Sequence, residues 1–126
     1  MTAQPASPPS RPRPPLEIGV FSTGNLANRS DLSPADRLHG LVRLAERAEQ
    51  AGFDLFAVGE AHKPPAVVSS PAVLLAHIAA RTARIRLSTA VSLVTVNDPV
   101  KLAEDLSTLQ NLIGDRLGVI LGRGVD

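Results

Sequence analysis

The sequence predicts an α/β fold in which short parallel strands alternate with helices. Short apolar runs recur along the chain, and polar or glycine-containing sequence follows them. Between the runs lie segments whose apolar residues repeat at helical spacing. Each of these segments opens on a Ser-Pro or Asp-Pro pair, which marks a helix start.

Glu17 to Phe21 reads as the first strand. Ser33-Pro34-Ala35-Asp36 then supplies an N-cap, a proline at the first helical position and an acid three residues on. Leu38, Leu41, Val42, Ala45 and Ala48 form one apolar stripe, with arginines and glutamates opposite, and Gly52 stands where a helix ends. Leu55 to Val58 is the second strand. Ser70-Pro71 opens a second helix, apolar at Leu74, Leu75, Ile78 and Ala79 and running to Arg81. Ile85 to Val91 is the third strand, and Asp98-Pro99 caps a third helix with Leu102, Ala103, Leu106 and Leu109 on one face. Leu117 to Leu121 is the fourth strand. Strands joined through helices are parallel, with right-handed crossovers. The order by itself fits a doubly wound open sheet as well as a segment of a closed barrel. The glycine fingerprint of a dinucleotide fold does not follow the first strand, which weakens an open nucleotide-binding domain.

Composition narrows the function classes. The chain has 126 residues, room for one domain, with 44% apolar and 20% charged residues. A net charge of +1 and only three aromatic residues, all Phe, argue against a nucleic-acid surface. There is no cysteine, which excludes disulfides, thiolate metal sites and a cysteine nucleophile and fits a cytoplasmic location. No apolar run has membrane-spanning length, so no membrane partner is expected. Residues 1–15 carry six prolines and two arginines and read as a disordered tail, with a proline-rich ligand for a partner domain as the alternative. The ordered domain is expected over residues 16–126.

Several segments, in order, carry a family resemblance. They are Ala45-Glu46-Arg47-Ala48-Glu49-Gln50-Ala51-Gly52-Phe53-Asp54, Gly59-Glu60-Ala61-His62, Ser70-Pro71 and Ile78 to Leu87. Asp98 to Asp105, Gly114-Asp115-Arg116-Leu117 and Gly122-Arg123-Gly124 complete the set. Together they resemble the N-terminal part of the luciferase-like flavin monooxygenases (bacterial luciferase-like domain), over about Ile18 to Gly124. The resemblance implies the N-terminal half of a (β/α)8 TIM barrel. It implies reduced flavin mononucleotide (FMN) as cofactor, a deazaflavin coenzyme in sister branches, and oxygen activation or hydride transfer on a small-molecule substrate.

Ligands of such a barrel gather at the C-terminal ends of its strands. Glu60 and His62 follow strand two, Ala90 and Val91 end strand three, and Arg123 follows strand four. Arg123, between two glycines, suits a flavin phosphate, since a guanidinium binds it through two charge-assisted bonds. Read without the resemblance, it is an exposed arginine near a chain end. Ala90-Val91 occupies the place where the family holds a non-proline cis peptide against the flavin ring, although Ala-Val is also ordinary strand sequence. Glu60 is a second candidate cofactor contact. His62 is the candidate catalytic residue, as a group that titrates near neutrality and moves protons. The family's Glu-His-His is here Glu60-Ala61-His62, and the absent histidine is the base of the luciferases themselves, which speaks against light emission. His39 and His77 fall inside helices and read as surface or packing residues, with no metal site. Ser69-Ser70 reads as helix capping.

A complete barrel needs about 250 residues. Four strands and three helices amount to about half, and strands one and four would be open edges. A truncated gene product is the favoured explanation, ahead of a complementary barrel half on another chain and of a homodimer. The alternative function is a non-catalytic half-barrel that acts through partner or self-association.

Overall fold

A computed structural model describes residues 16–26 and 31–124. In chain order it runs β1 (Gly19–Ser22), α1 (Pro34–Gln50), β2 (Leu55–Val58), α2 (Pro71–Ala79), β3 (Arg86–Thr89), β4 (Ser92–Leu93), α3 (Pro99–Ile113), a 3₁₀ turn (Gly114–Arg116), β5 (Leu117–Gly118) and β6 (Leu121–Gly122). The expected tail over residues 1–15 lies outside the described residues. No helix among the described residues is long and apolar enough to cross a membrane.

β1, β2, β3 and β5 lie side by side in chain order, all parallel. This order decides between the two folds that the sequence leaves open. A doubly wound sheet reverses its direction of growth at a switch point, whereas here every new strand joins the same edge. With right-handed crossovers, growth in one direction places all the helices on one face, as in a barrel wall. The packing agrees. The aligned row Val20, Phe56, Leu87 and Leu117 turns to the helices, where Phe56 and Leu87 are fully buried with Leu41, Leu75, Ile78 and Leu109. The neighbouring row Phe21, Ala57, Ser88 and Gly118 turns to the opposite, inner face, because successive strand residues alternate sides.

Local chemistry sets the helix boundaries. Ser33 Oγ accepts from the Asp36 amide at 3.0 Å, and Asp36 Oδ2 accepts from the Ser33 amide at 3.2 Å, closing the predicted capping box. At the other end Gly52, at φ 84°, lets Phe53 N–H reach back to Ala48 O at 3.0 Å. Only a residue free of Cβ strain turns so sharply there. Glu49 then leaves α1 to serve the next connection. Its carboxylate accepts from the amides of Ala83 (3.0 Å), Arg84 (2.6 Å) and Ile85 (2.8 Å), fixing the turn into β3. Arg116 ties the same rim together, donating to Ala79 O at 3.2 Å and to Thr82 Oγ1 at 3.1 Å.

The elements depart from the sequence reading in several places. β1 starts at Gly19 rather than Glu17, because the Ile18 amide donates to the Asp54 carboxylate at 2.8 Å. α2 stops at Ala79 instead of reaching Arg81, since Thr82 Oγ1 takes the Ile78 carbonyl at 2.9 Å. Ser70 occupies the N-cap position of α2 without a side-chain capping bond. The third and fourth strands are each broken in two. Thr89 Oγ1 both accepts from Ile120 N (3.0 Å) and donates to Ile120 O (2.9 Å), replacing the ladder, and pairing resumes between β4 and β6. Of the predicted α3 stripe only Leu109 is buried. Leu102, Ala103 and Leu106 line an open crevice beside Val94 and Leu121.

Burial raises the pKa of Glu49, and the amides of Ile85, Arg84 and Ala83, with the Arg84 charge, outweigh it and hold the carboxyl below its ordinary value. A depressed folded-state pKa stabilises the fold above the unfolded glutamate value of about 4.3 and loses that contribution as pH falls through the folded value. Glu49→Gln weakens the bonds to these three amides and should lower the urea midpoint at neutral pH. The gap between wild type and variant should close on acidification below about pH 4.

Candidate functional site

The C-terminal ends of the strands surround a concavity of about 550 Å³. Phe21 and Thr23 line it from β1, Gly59 to Lys63 from the segment after β2, and Ala90, Val91 and Leu93 from the β3–β4 junction. Val96, Arg123 and Gly124 complete the lining. All five residues singled out in the sequence, Glu60, His62, Ala90, Val91 and Arg123, thus share one surface.

The floor is the Ala90–Val91 peptide, which is cis. Neighbours hold it from both sides. Ala90 N donates to Val58 O at 2.7 Å, Glu60 N donates to Val91 O at 3.2 Å, and Ser92 N donates to Ile120 O at 2.8 Å. A Cβ on Gly122 would stand 2.6 Å from Val91 Cγ2, so β6 can press against this floor only as glycine. The floor carries small side chains, and the Phe21 ring stands beside it.

Glu60 is the buried centre of the wall, its side chain only 1% exposed. Oε2 accepts from Leu93 N at 2.9 Å. Oε1 accepts from Asn97 Nδ2 at 2.8 Å and meets His62 Nε2 at 2.7 Å. Asn97 Nδ2 also donates to Leu93 O at 2.7 Å, closing a small network across the β4–α3 connection. Both carboxylate oxygens are therefore engaged by protein donors, a geometry that the sequence does not disclose. His62 is different. Its ring is 43% exposed and faces the concavity, and Nδ1 has no protein partner among the described residues.

Arg123 lies at the rim, its backbone carbonyl held by Thr95 Oγ1 at 2.8 Å. Gly124 follows at φ 79°. The Arg123 guanidinium and the Lys63 ammonium have no anionic partner among the described residues, so the rim presents two positive charges. His39 and His77 lie elsewhere, with Ser69 and Ser70 along a groove of about 420 Å³ between α1 and α2.

Sequence reasoning did not identify Asn97, Thr95, Phe21 or Lys63. Asn97 is hidden because it directly precedes the α3 N-cap Asp98, where asparagine reads as turn sequence. Phe21 reads as the end of the first strand, and the side of the sheet it faces depends on register. Lys63 precedes Pro64-Pro65 and reads as loop.

The profile described as luciferase-like monooxygenase matches residues 16–126. N-acetyl-S-alkylcysteine monooxygenase of Bacillus subtilis is 34% identical over 90 residues, 71% of this chain and 27% of that protein. Among solved structures, monooxygenase RslO1 from Streptomyces bottropensis aligns with a TM-score of 0.80 at 30% identity, covering 87% of this chain and 34% of that one. The oxygenating constituent of 3,6-diketocamphane monooxygenase from Pseudomonas putida, in complex with FMN, shares the fold with a TM-score of 0.79 at 22% identity, covering 87% of this chain and 30% of that one. An F420-dependent secondary alcohol dehydrogenase with an F420-acetone adduct aligns at 0.69 and 25% identity, covering 86% and 32%. The chain spans about a third of the length of the relatives it matches, less than the half suggested by counting strands. The profile match over residues 16–126, supported by relatives and by the barrel wall itself, places the chain in the luciferase-like monooxygenase family.

Proposed function

We propose that this chain forms the coenzyme-facing part of a flavin-dependent monooxygenase whose coenzyme is reduced FMN. The observation that carries the reading is the convergence of the Ala90–Val91 floor, the Glu60–His62 pair and Arg123 on one concavity. The residues fit the group. The floor is backed by Gly122, Phe21 and Val96 add apolar lining, and Arg123, without an anionic partner among the described residues, stands at the rim. Bound reduced flavin supplies oxygen activation or hydride transfer.

In this reading Arg123 holds the phosphate, its guanidinium donating two parallel charge-assisted bonds to two of the phosphate oxygens. Ala90 and Val91 offer the ring a close, uncharged face, and Phe21 with Val96 keeps water from it. His62 holds or accepts a proton of the bound molecule at the concavity. The deazaflavin alternative uses the same floor and cation and draws on the F420-dependent neighbour.

A second reading draws on the sheet edges. Leu16 and Ile18 before β1 are 84% and 54% exposed, and Ile120 and Leu121 at the far edge are 50% and 54% exposed. Apolar surface of this kind favours association with a complementary half or a second copy, whether or not the assembly is catalytic.

Titration of FMN at high protein concentration should quench its fluorescence. Arg123→Gln should weaken FMN about 10- to 100-fold, the loss of one charge-assisted bond or two, while riboflavin, which has no phosphate, should lose nothing. A folded sample that quenches neither would remove the flavin reading. Sedimentation tests the second reading. Charging the edges with Ile18→Lys and Leu121→Lys should abolish any concentration-dependent dimer.

A further inference from the structure

We propose that Glu60 is a positioning residue. It captures the Nε2 proton of His62 and so assigns Nδ1 as the nitrogen that exchanges protons with the bound molecule. The proposal rests on the flavin reading only for what that molecule is, because the assignment itself comes from geometry.

The argument starts from the carboxylate. An ionised carboxylate accepts hydrogen bonds and donates none, so each group within reach must present a proton to it. Leu93 N and Asn97 Nδ2 are obligate donors, at 2.9 Å and 2.8 Å. The third neighbour, His62 Nε2 at 2.7 Å, can be donor or acceptor according to tautomer. Beside Glu60 it must be the donor. A neutral imidazole with its proton on Nε2 carries its lone pair on Nδ1, the nitrogen without a protein partner among the described residues. The ring's exposed edge therefore carries the basic atom, while its other nitrogen is anchored.

The proton balance follows. Nδ1 takes a proton from an O–H or N–H of the bound molecule, giving an imidazolium that still donates through Nε2 to Glu60. The buried negative charge stabilises the new positive one. Return of the proton from Nδ1 restores the starting state, and the Nε2 proton never leaves. Asn97 keeps the carboxylate from turning. It holds Oε1 and is itself anchored to Leu93 O at 2.7 Å, so the β4–α3 connection braces the pair.

The network also joins the histidine to the floor, since the Glu60 amide donates to Val91 O at 3.2 Å. One residue thus orients the proton-moving group with its side chain and the ring-facing peptide with its backbone. His62 is the one imidazole lining this concavity among the described residues.

The tautomer is directly measurable, because the chain has only three histidines and His62→Gln identifies the signal. In ¹⁵N-labelled protein, raised in pH until the His62 ring nitrogen signals no longer move, long-range ¹H–¹⁵N spectra should show His62 as a single Nε2–H tautomer. His39 and His77, at the outer groove, serve as internal references. Glu60→Gln places an amide where a carboxylate was. His62 should then become a mixture of tautomers or invert to Nδ1–H, with unchanged signals from His39 and His77 reporting an intact fold. Asn97→Ala should broaden the His62 signals without inverting them, and it stands in should Glu60→Gln fail to fold.

An Nδ1–H tautomer in the wild type overturns the proposal, as does a His62 spectrum that Glu60→Gln leaves unchanged in folded protein. FMN titration of the same samples separates the two ideas. A shifted tautomer without flavin binding retains the Glu60 assignment and removes the flavin reading. Flavin binding with an unmoved tautomer does the reverse.

Discussion

Burial of the row Val20, Phe56, Leu87 and Leu117 against the helices sets the register of the four-stranded sheet. A slip of one residue would exchange this row with Phe21, Ala57, Ser88 and Gly118, and in β3 and β5 it would bring a hydroxyl or a missing side chain into the core. The register has a functional consequence. With the apolar row fixed, β2 and β3 end at the same height, Val58 beside Thr89, and the segments beyond them emerge together. The concavity exists because the strands end level.

Above that height, side chains take over from the backbone ladder. Thr89 intercepts both polar groups of Ile120, and pairing resumes only at Ser92 and Leu121. Glu60 satisfies the Leu93 amide, which the interrupted sheet leaves without a strand partner. Buried polar groups must be paired, and side-chain pairing constrains direction less than a ladder does. The chain is thereby free to bend around a hollow instead of continuing as flat sheet.

Two carboxylates perform parallel tasks at opposite ends of the sheet. Glu49 gathers three successive amides at the rim where β3 begins, and Arg116 ties the same rim from the other side. Glu60 gathers a backbone amide, a side-chain amide and an imidazole where the strands end. The first set contains no group that changes protonation near neutral pH, so its work is stability. The second contains a histidine facing open space, where a proton can come and go. The division matches the barrel architecture, in which the C-terminal ends of the strands carry the chemistry and the opposite end carries the fold.

The sequence by itself determined the alternation of strands and helices, the capping box at Ser33, the turn at Gly52 and the residues that meet at Glu60, His62, Ala90, Val91 and Arg123. These are local patterns or fall at strand ends, where periodicity and turn chemistry are legible. Element order by itself leaves open the choice between a barrel wall and an open sheet, since crossover connections of either fold look alike in one dimension; the family resemblance implies the barrel, and the strand order of the tertiary structure shows its wall. The break in the third and fourth strands was equally hidden, because Thr89 and Ile120 lie 31 residues apart and neither is unusual where it stands. Asn97 and the inward turn of the Glu60 carboxylate belong to the same class. Their partners are distant in the chain, and a hydrogen-bond network is a property of three-dimensional approach rather than of spacing.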